Sequence, residues 1–208
     1  MPASTAVIRD ATHADLDAIA AIFGHYVTET VVTFEETPPT VEDWARRLVE
    51  LTDRGLPFLV AEVADGLTAS EGDDRTASEG DDRTASEGDG LTVPENGRLT
   101  VAGYAYAGPW RPKPAYRHTA EDAIYLAPGR TGAGLGAALL DALLTRCAEA
   151  GVRQVVAVIA DSGSDASAAL HRRFGFRPAG LLAGVGHKHG RWIDTHLMQC
   201  DLTARANP

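Results

Sequence analysis

The sequence predicts an α/β protein, a mixed central sheet with helices on both faces, in the order β-α-α-β-β-β-α-β-α-β-β. Three observations lead there. Short runs rich in β-branched and aromatic residues alternate with stretches whose apolar residues recur at helical spacing. Val155-Val156-Ala157-Val158-Ile159 is a continuous apolar run of the kind that forms a buried strand. A glycine-rich turn stands between a strand and a helix late in the chain, after strands that read as antiparallel. A chain of 208 residues fits one domain, 1–208, and buries a core without disulfide or metal staples.

The elements follow in order. Ala6–Arg9 is a short strand. Thr12 caps a helix, with Asp15 three residues on and Leu16, Ile19, Ala20 and Phe23 at helical spacing. Pro38 and Thr40 open a second helix whose apolar face is Val41, Trp44, Leu48 and Leu51. Gly55 and Pro57 end it. Phe58–Val63 and Leu99–Tyr106 are strands, and Asp122–Leu126 is another that stops at Pro128. Gly134 to Gly151 is a helix with Leu135, Leu139, Leu140, Leu143 and Leu144 inside. Gln154–Ala160 is a buried strand, Ser164–Phe174 a helix ended by Gly175, and two last strands surround Gly186 and Gly190.

Between the second and third strands lies an octapeptide repeat. Thr-Ala-Ser-Glu-Gly-Asp-Asp-Arg runs from Thr68 to Arg75, again from Thr76 to Arg83, and decays after Asp89. Its units hold no apolar residue larger than alanine, so stacking buries almost nothing, and residues 65–98 read as a disordered insertion in a hairpin loop. Loop closure cost grows only logarithmically with length, so a fold tolerates it. The segment carries ten acids against three bases, and most of the net charge of −10 belongs to it. No basic face remains for a nucleic acid, and no apolar run reaches the length of a membrane span. The start lacks the pattern of a signal peptide, and Cys147 and Cys200 form no disulfide framework, so a cytoplasmic setting is expected. His187, His189 and Asp194 do not fall at a metal-ligand spacing, and no metal is expected.

Ile124-Tyr125-Leu126, then Gly132-Ala133-Gly134-Leu135-Gly136-Ala137, is a strand feeding a glycine turn that opens a helix. Such a turn lets backbone amides approach an anion, and a pyrophosphate is the natural guest; a plain strand–helix turn is the alternative. The turn comes too late for a dinucleotide-binding first strand and lacks the lysine of a P-loop. It resembles the acetyl-CoA pyrophosphate loop of the GNAT superfamily of N-acetyltransferases, Arg/Gln-x-x-Gly-x-Gly/Ala. Thr131 stands where that pattern has Arg or Gln, with Arg130 one residue early. Tyr104-Ala105-Tyr106-Ala107-Gly108-Pro109-Trp110, Ala115-Tyr116, Thr119-Ala120-Glu121 and Leu170-His171 are similar to the phosphinothricin/methionine sulfoximine acetyltransferases. So are Phe174-Gly175-Phe176 and Lys188-His189-Gly190-x-Trp192-x-Asp194. The similarity spans nearly the whole chain apart from residues 65–98.

That resemblance implies a GNAT fold, acetyl-CoA as cosubstrate, a small amino-acid-like acceptor and a homodimer. It implies Glu121 as the base that takes the substrate ammonium proton, where the residues alone allow a pair of solvated acids. Asp122 points to the opposite sheet face by the period of two. Arg111 and Lys113, in a proline-stiffened loop, match basic family positions that contact the acceptor, and Phe34 and Tyr116 wall its pocket; surface cations and core aromatics are the alternatives. His171 matches a family histidine and is a candidate to protonate the departing thiolate or assist as base. Ser164 and Ser167 occupy the place of an Asn-x-x-Ser that binds the pantetheine arm, with Ser164 or Asp165 as a plain helix cap otherwise. The strands ending at Leu126 and Ala160 are expected to splay, exposing the Ile124 and Leu126 backbone. The expected reaction is direct acetyl transfer to the α-amino group of phosphinothricin, methionine sulfoximine or a similar amino acid. The rivals are another amine acceptor or a non-catalytic acyl-CoA-binding module.

Overall fold

The computed structural model describes residues 6–64 and 99–205. The expected insertion at 65–98 lies outside the described residues. The eleven elements occur in the expected order: β1 Val7–Asp10, α1 Leu16–Glu29, α2 Val41–Asp53, β2 Phe58–Ala64, β3 Leu99–Pro109, β4 Thr119–Leu126, α3 Leu135–Glu149, β5 Gln154–Ala160, α4 Ala166–Arg173, β6 Arg177–Lys188 and β7 Arg191–Asp201. They form one seven-stranded sheet in the order β1-β2-β3-β4-β5-β7-β6. Every neighbouring pair is antiparallel except β4 and β5. A parallel neighbour needs a crossover, and α3 supplies it.

The two faces of the sheet bury different chemistry. Against one lie α1 and α2, with Phe23, Trp44, Phe58 and Tyr104 in an aromatic cluster that Leu16, Ile19 and Leu48 complete. Trp44 meets Phe23 and Tyr104 edge-on at 5.4 and 5.5 Å, a geometry that sets ring edges against ring faces. Against the other face lies α3, whose Leu139, Leu140, Leu143 and Leu144 are all sealed, with Ala168 and Leu170 of α4 packed alongside. The Asp15 carboxylate accepts from the Thr12 amide and hydroxyl at 2.7 and 2.9 Å, on a 3-10 turn that leads into α1. Thr40 and Asp43 close a reciprocal cap on α2, as the spacing predicts.

Several boundaries differ from expectation. β4 starts at Thr119, so Glu121 lies inside the strand rather than just before it. α3 starts at Leu135 because Gly134 holds φ at 80°, a left-handed cap conformation that suits glycine. α4 is only Ala166–Arg173. Val41 is 39% exposed at the first position of α2, and the buried face of that helix is Trp44, Leu48 and Leu51. β5 is buried only in its first half, and Val158 is 39% exposed because its strand has by then lost β4 as a neighbour.

Candidate active site

The parallel pairing of β4 with β5 runs from Thr119↔Gln154 to Asp122↔Ala157 and then stops. β4 continues to Leu126 on β3, and β5 continues to Ala160 on β7. The two strands therefore part at Asp122, and a gap opens between their second halves, as expected. The Ala127 amide donates to Ala102 O, which makes that pair the hydrogen-bonded kind. By antiparallel alternation, the amides of Ile124 and Leu126 turn away from β3, toward the gap, while Tyr125 pairs with Tyr104 of β3. Of the three strand residues expected to meet the cosubstrate, Tyr125 thus has its backbone engaged in the sheet. Its ring sits edge-on to Phe23 at 5.0 Å in the aromatic layer. Leu126 O accepts a hydrogen bond from the Tyr26 hydroxyl at 2.7 Å.

The glycine turn stands at the end of this gap. Gly132, Ala133 and Gly134 are exposed, with Gly132 and Gly134 at φ of 84° and 80°. No side chain caps α3, so its first amides are left for an anion. Leu135 points its side chain into the core at 5% exposure, and Ala137 is half-buried, so both offer backbone rather than side chain. A Cβ placed on Gly136 would touch Leu126 at 3.7 Å and Leu170 at 3.5 Å. β4, α3 and α4 therefore meet at that glycine. Ser164 is exposed and accepts the Ala166 amide at 3.3 Å, an ordinary turn at the start of α4, while Ser167 is half-buried on the helix.

Glu121 and Asp122 point to opposite faces. Glu121 lies opposite Gly108 of β3, on the aromatic face, diagonal to Tyr106. Burial raises its pKa above the ordinary carboxyl value, the neighbouring Asp122 charge adds to that, and Arg111 opposes it. Arg111 and Lys113 are exposed, with the Arg111 guanidinium 4.4 Å above the Trp110 ring, so the loop presents its cations at the rim. Tyr116 is 44% exposed in a 3-10 turn of the same loop. Phe34 is reached from another direction. It lies so close over Gly186 of β6 that a Cβ there would enter the ring. Lys188, buried at 5% exposure, donates from Nζ to Thr33 O at 2.8 Å and pins the same loop to the last hairpin.

His171 is not the surface histidine that an isolated helix position would suggest. It is buried at 2% exposure and both ring nitrogens are engaged. Nδ1 lies 2.7 Å from Ser167 O and Nε2 lies 2.9 Å from Asp122 Oδ2. In this arrangement both ring nitrogens are committed within the fold, and none is left facing the gap.

Three contributors escaped the sequence reading. Arg47 of α2 donates from one guanidinium nitrogen to the Tyr106 hydroxyl at 2.7 Å and lies 4.9 Å from the Trp44 ring. Tyr26 and Asp122 have the roles just described. The alternation Tyr104-x-Tyr106 signals one sheet face, and Arg47 sits one helical turn after Trp44. Those signals place Arg47 on the helix face that carries Trp44, but not its hydrogen bond to Tyr106. Among the described residues no three His, Cys, Asp or Glu side chains converge as a metal site.

Known proteins match this arrangement along its length. Phosphinothricin N-acetyltransferase of Alcaligenes faecalis is 40% identical over 95% of this chain and 82% of its own. The L-methionine sulfoximine/L-methionine sulfone acetyltransferase of Pseudomonas aeruginosa is 35% identical over 95% of both. The crystal structure of a GNAT superfamily phosphinothricin acetyltransferase from Sinorhizobium meliloti, in complex with AcCoA, superposes with a TM-score of 0.74. It is 39% identical and covers 95% of this chain and 88% of that one. The sequence pattern of one family spans residues 56–176, from just before β2 to the phenylalanine whose ring meets His171. Parted strands, a glycine turn and near full-length likeness agree, and this chain belongs to the acetyltransferase (GNAT) family.

Proposed function

We propose that this protein transfers an acetyl group from acetyl-CoA to the α-amino group of a small amino-acid-like acceptor, with phosphinothricin and methionine sulfoximine as the leading candidates. The observation that carries the reading is Glu121. It is a half-buried carboxylate with a raised pKa, on the strand that forms one wall of the gap and within electrostatic reach of Arg111. The donor set fits acetyl-CoA. Uncapped amides at the start of α3 suit a pyrophosphate, and the freed amides of Ile124 and Leu126 suit an extended amide chain. Acetyl-CoA supplies an activated thioester when bound.

The chain's own residues do the rest. Glu121 accepts the ammonium proton, directly or through water, since only a neutral amine attacks a carbonyl. The Leu126 amide is aimed into the gap, where it polarises the thioester carbonyl. The Tyr26 hydroxyl on Leu126 O holds that strand end in place. Arg47 faces the aromatic side with one hydrogen bond, to Tyr106, so its other donors are available for the acceptor carboxylate. Arg111 and Lys113 suit the acceptor's distal anionic or polar group, and Phe34 and Tyr116 border it. Gly132–Ala137, Ser164 and Ser167 border the cosubstrate. Direct transfer needs no enzyme nucleophile. Burial lifts the Cys147 thiol to about 12, consistent with an inert core residue.

The same reading includes a cytoplasmic homodimer of single-domain chains. Leu181, Leu182, Val185 and Trp192 form an exposed apolar stretch on β6 and β7 that a second copy would cover. Sedimentation of the purified protein tests it, a monomer at all concentrations being the contrary result. The activity is tested by thiol release from acetyl-CoA with phosphinothricin, methionine sulfoximine and a panel of amino acids, beside Glu121→Gln. Turnover with the first two, lost in the variant, supports the reading. Tight CoA binding without turnover on any acceptor favours a binding module instead.

A further inference from the structure

We propose that Asp122 and His171 are positioning residues that set the opening of the cosubstrate gap, by sharing one proton across the point where β4 and β5 part. The inference rests on the acetyl-CoA reading of the gap and assigns its control to residues inside the protein.

Four observations carry it. Asp122 is the last residue of β4 paired with β5, so it sits at the apex of the opening. His171 is the only buried residue of α4. The helix that borders the gap with Ser167 and Leu170 packs Ala168 and Leu170 on the core, and its one sealed side chain is held by a polar contact to the sheet. Leu170, next to His171, is the residue that meets Gly136 at the start of α3. Displacing His171 moves Leu170 off the glycine turn, and the gap changes width. Finally, both side chains are 2% exposed, and Asp122 Oδ1 is sealed with no partner among the described residues. His171 is the one side chain among the described residues that hydrogen-bonds that carboxylate against the cost of its burial.

The proton inventory follows from the acceptors. Ser167 O offers only lone pairs, so Nδ1 must carry a hydrogen. Nε2 faces Asp122 Oδ2, and one further proton lies between them, on nitrogen as an ion pair or on oxygen as a neutral pair. If that proton is removed, a nitrogen lone pair faces a carboxylate in a sealed site. The contact becomes repulsive and α4 loses its anchor.

The surroundings leave this pair as the group that titrates. The Phe176 ring stands edge-on to the imidazole at 4.8 Å. Glu121, one residue away on the opposite face of the sheet, Cys147 of α3 and Cys200 of β7 are the other ionisable groups that feel Asp122. Burial pushes both thiols up, so they stay neutral. For His171, burial lowers the pKa, but the Asp122 hydrogen bond and charge and the Ser167 carbonyl outweigh it and leave it raised. A raised histidine stabilises the closed arrangement fully below its ordinary pKa and loses that contribution as pH rises through the raised value. Affinity for CoA therefore falls on the alkaline side. By linkage, CoA binding must in turn raise the His171 pKa by the same coupling.

The experiment uses the full-length protein. Acetyl-CoA affinity, without acceptor, is measured by calorimetry from neutral into alkaline pH, and His171 is titrated by NMR with and without acetyl-CoA. The expected result is a loss of affinity on the order of tenfold through the His171 pKa, and an upward shift of that pKa when acetyl-CoA is bound. Asp122→Asn keeps a donor for Nε2 but no titrating proton, so its affinity stays flat over the same range. Asp122→Ala removes the anchor and weakens acetyl-CoA at every pH. A flat wild-type profile, the same alkaline loss in Asp122→Asn, or a His171 pKa unmoved by acetyl-CoA overturns the proposal. If acetyl-CoA does not bind at all, the reading of the gap fails instead. Should Asp122→Ala fail to fold, the wild-type and Asp122→Asn profiles decide alone.

Discussion

Glu121 and Asp122 are neighbours in the chain and opposites in the fold. One faces an aromatic layer and is half-buried, with a single distant cation tempering its raised pKa. The other faces the aliphatic core, sealed, and is matched to one histidine at 2.9 Å. Both are carboxylates on one strand, so residue type does not separate them. The partners that the two faces bring do so. A carboxylate that must change protonation needs an opening and an unfilled lone pair. A carboxylate that holds a helix needs a fixed donor and no water. The two-residue period of a strand supplies both kinds of site from adjacent positions.

The largest effect expected from breaking this contrast is on the aromatic face. Glu121→Gln lowers kcat by about 10²–10⁴-fold, as loss of a general base does, and leaves thermal unfolding nearly unchanged. The wild-type acid limb should tell the same story. Because Glu121 has a raised pKa and must be ionised to accept a proton, kcat/KM falls as pH drops through a value above that of an ordinary glutamate. Asp122→Asn removes a neighbouring charge and moves that limb toward acid. An unshifted limb would assign it to another group.

A smaller effect is expected at Arg47. Arg47→Gln raises the acceptor KM by about tenfold, the scale of one charge-assisted contact, while a primary amine lacking the α-carboxylate is used equally well by both proteins. Equal losses on both acceptors would mean that the residue acts on packing.

Away from both faces of β4, the Arg9–Asp15–Glu62 cluster at the β1 edge provides the contrast with the site. Arg9 bridges Asp15 at 2.7 Å and Glu62 at 2.6 Å, and Asp15 is nearly buried. The Arg9 hydrogen bond lowers the Asp15 pKa, so its stabilisation is present above the ordinary Asp value and fades as pH falls through the depressed one. Asp15→Asn costs about 1–3 kcal/mol in denaturant unfolding and leaves kcat/KM unchanged. The smallest effect belongs to the repeat. Deleting residues 68–89 leaves melting temperature and turnover nearly as they were, since the cost of connecting β2 to β3 depends only weakly on the length of the connection. A large loss of either would give the repeat a role in folding or catalysis.

Much of this molecule was readable from local chemistry. The cap at Thr40, the helical spacing of Trp44, Leu48 and Leu51, and the leucines of α3 specify their elements by period and hydrogen bonding, which act over a few residues. The order of elements and the glycine turn are local in the same sense. So is the separation of Glu121 from Asp122, because strand geometry alternates side chains wherever the strand lies. What neighbours a side chain meets across the fold is a different kind of information. His171 read as a surface or catalytic residue because nothing within α4 announces the carboxylate 49 positions earlier. Phe34 against Gly186, Lys188 on Thr33 and Arg47 on Tyr106 join segments far apart in the chain, and each contact is set by sheet order and crossover. The sequence alone determined which elements form and which faces they bury, through short-range periodicity. Only the tertiary structure decided which acid is open and which is locked, because desolvation and hydrogen-bond partners belong to the packed site and not to the residue.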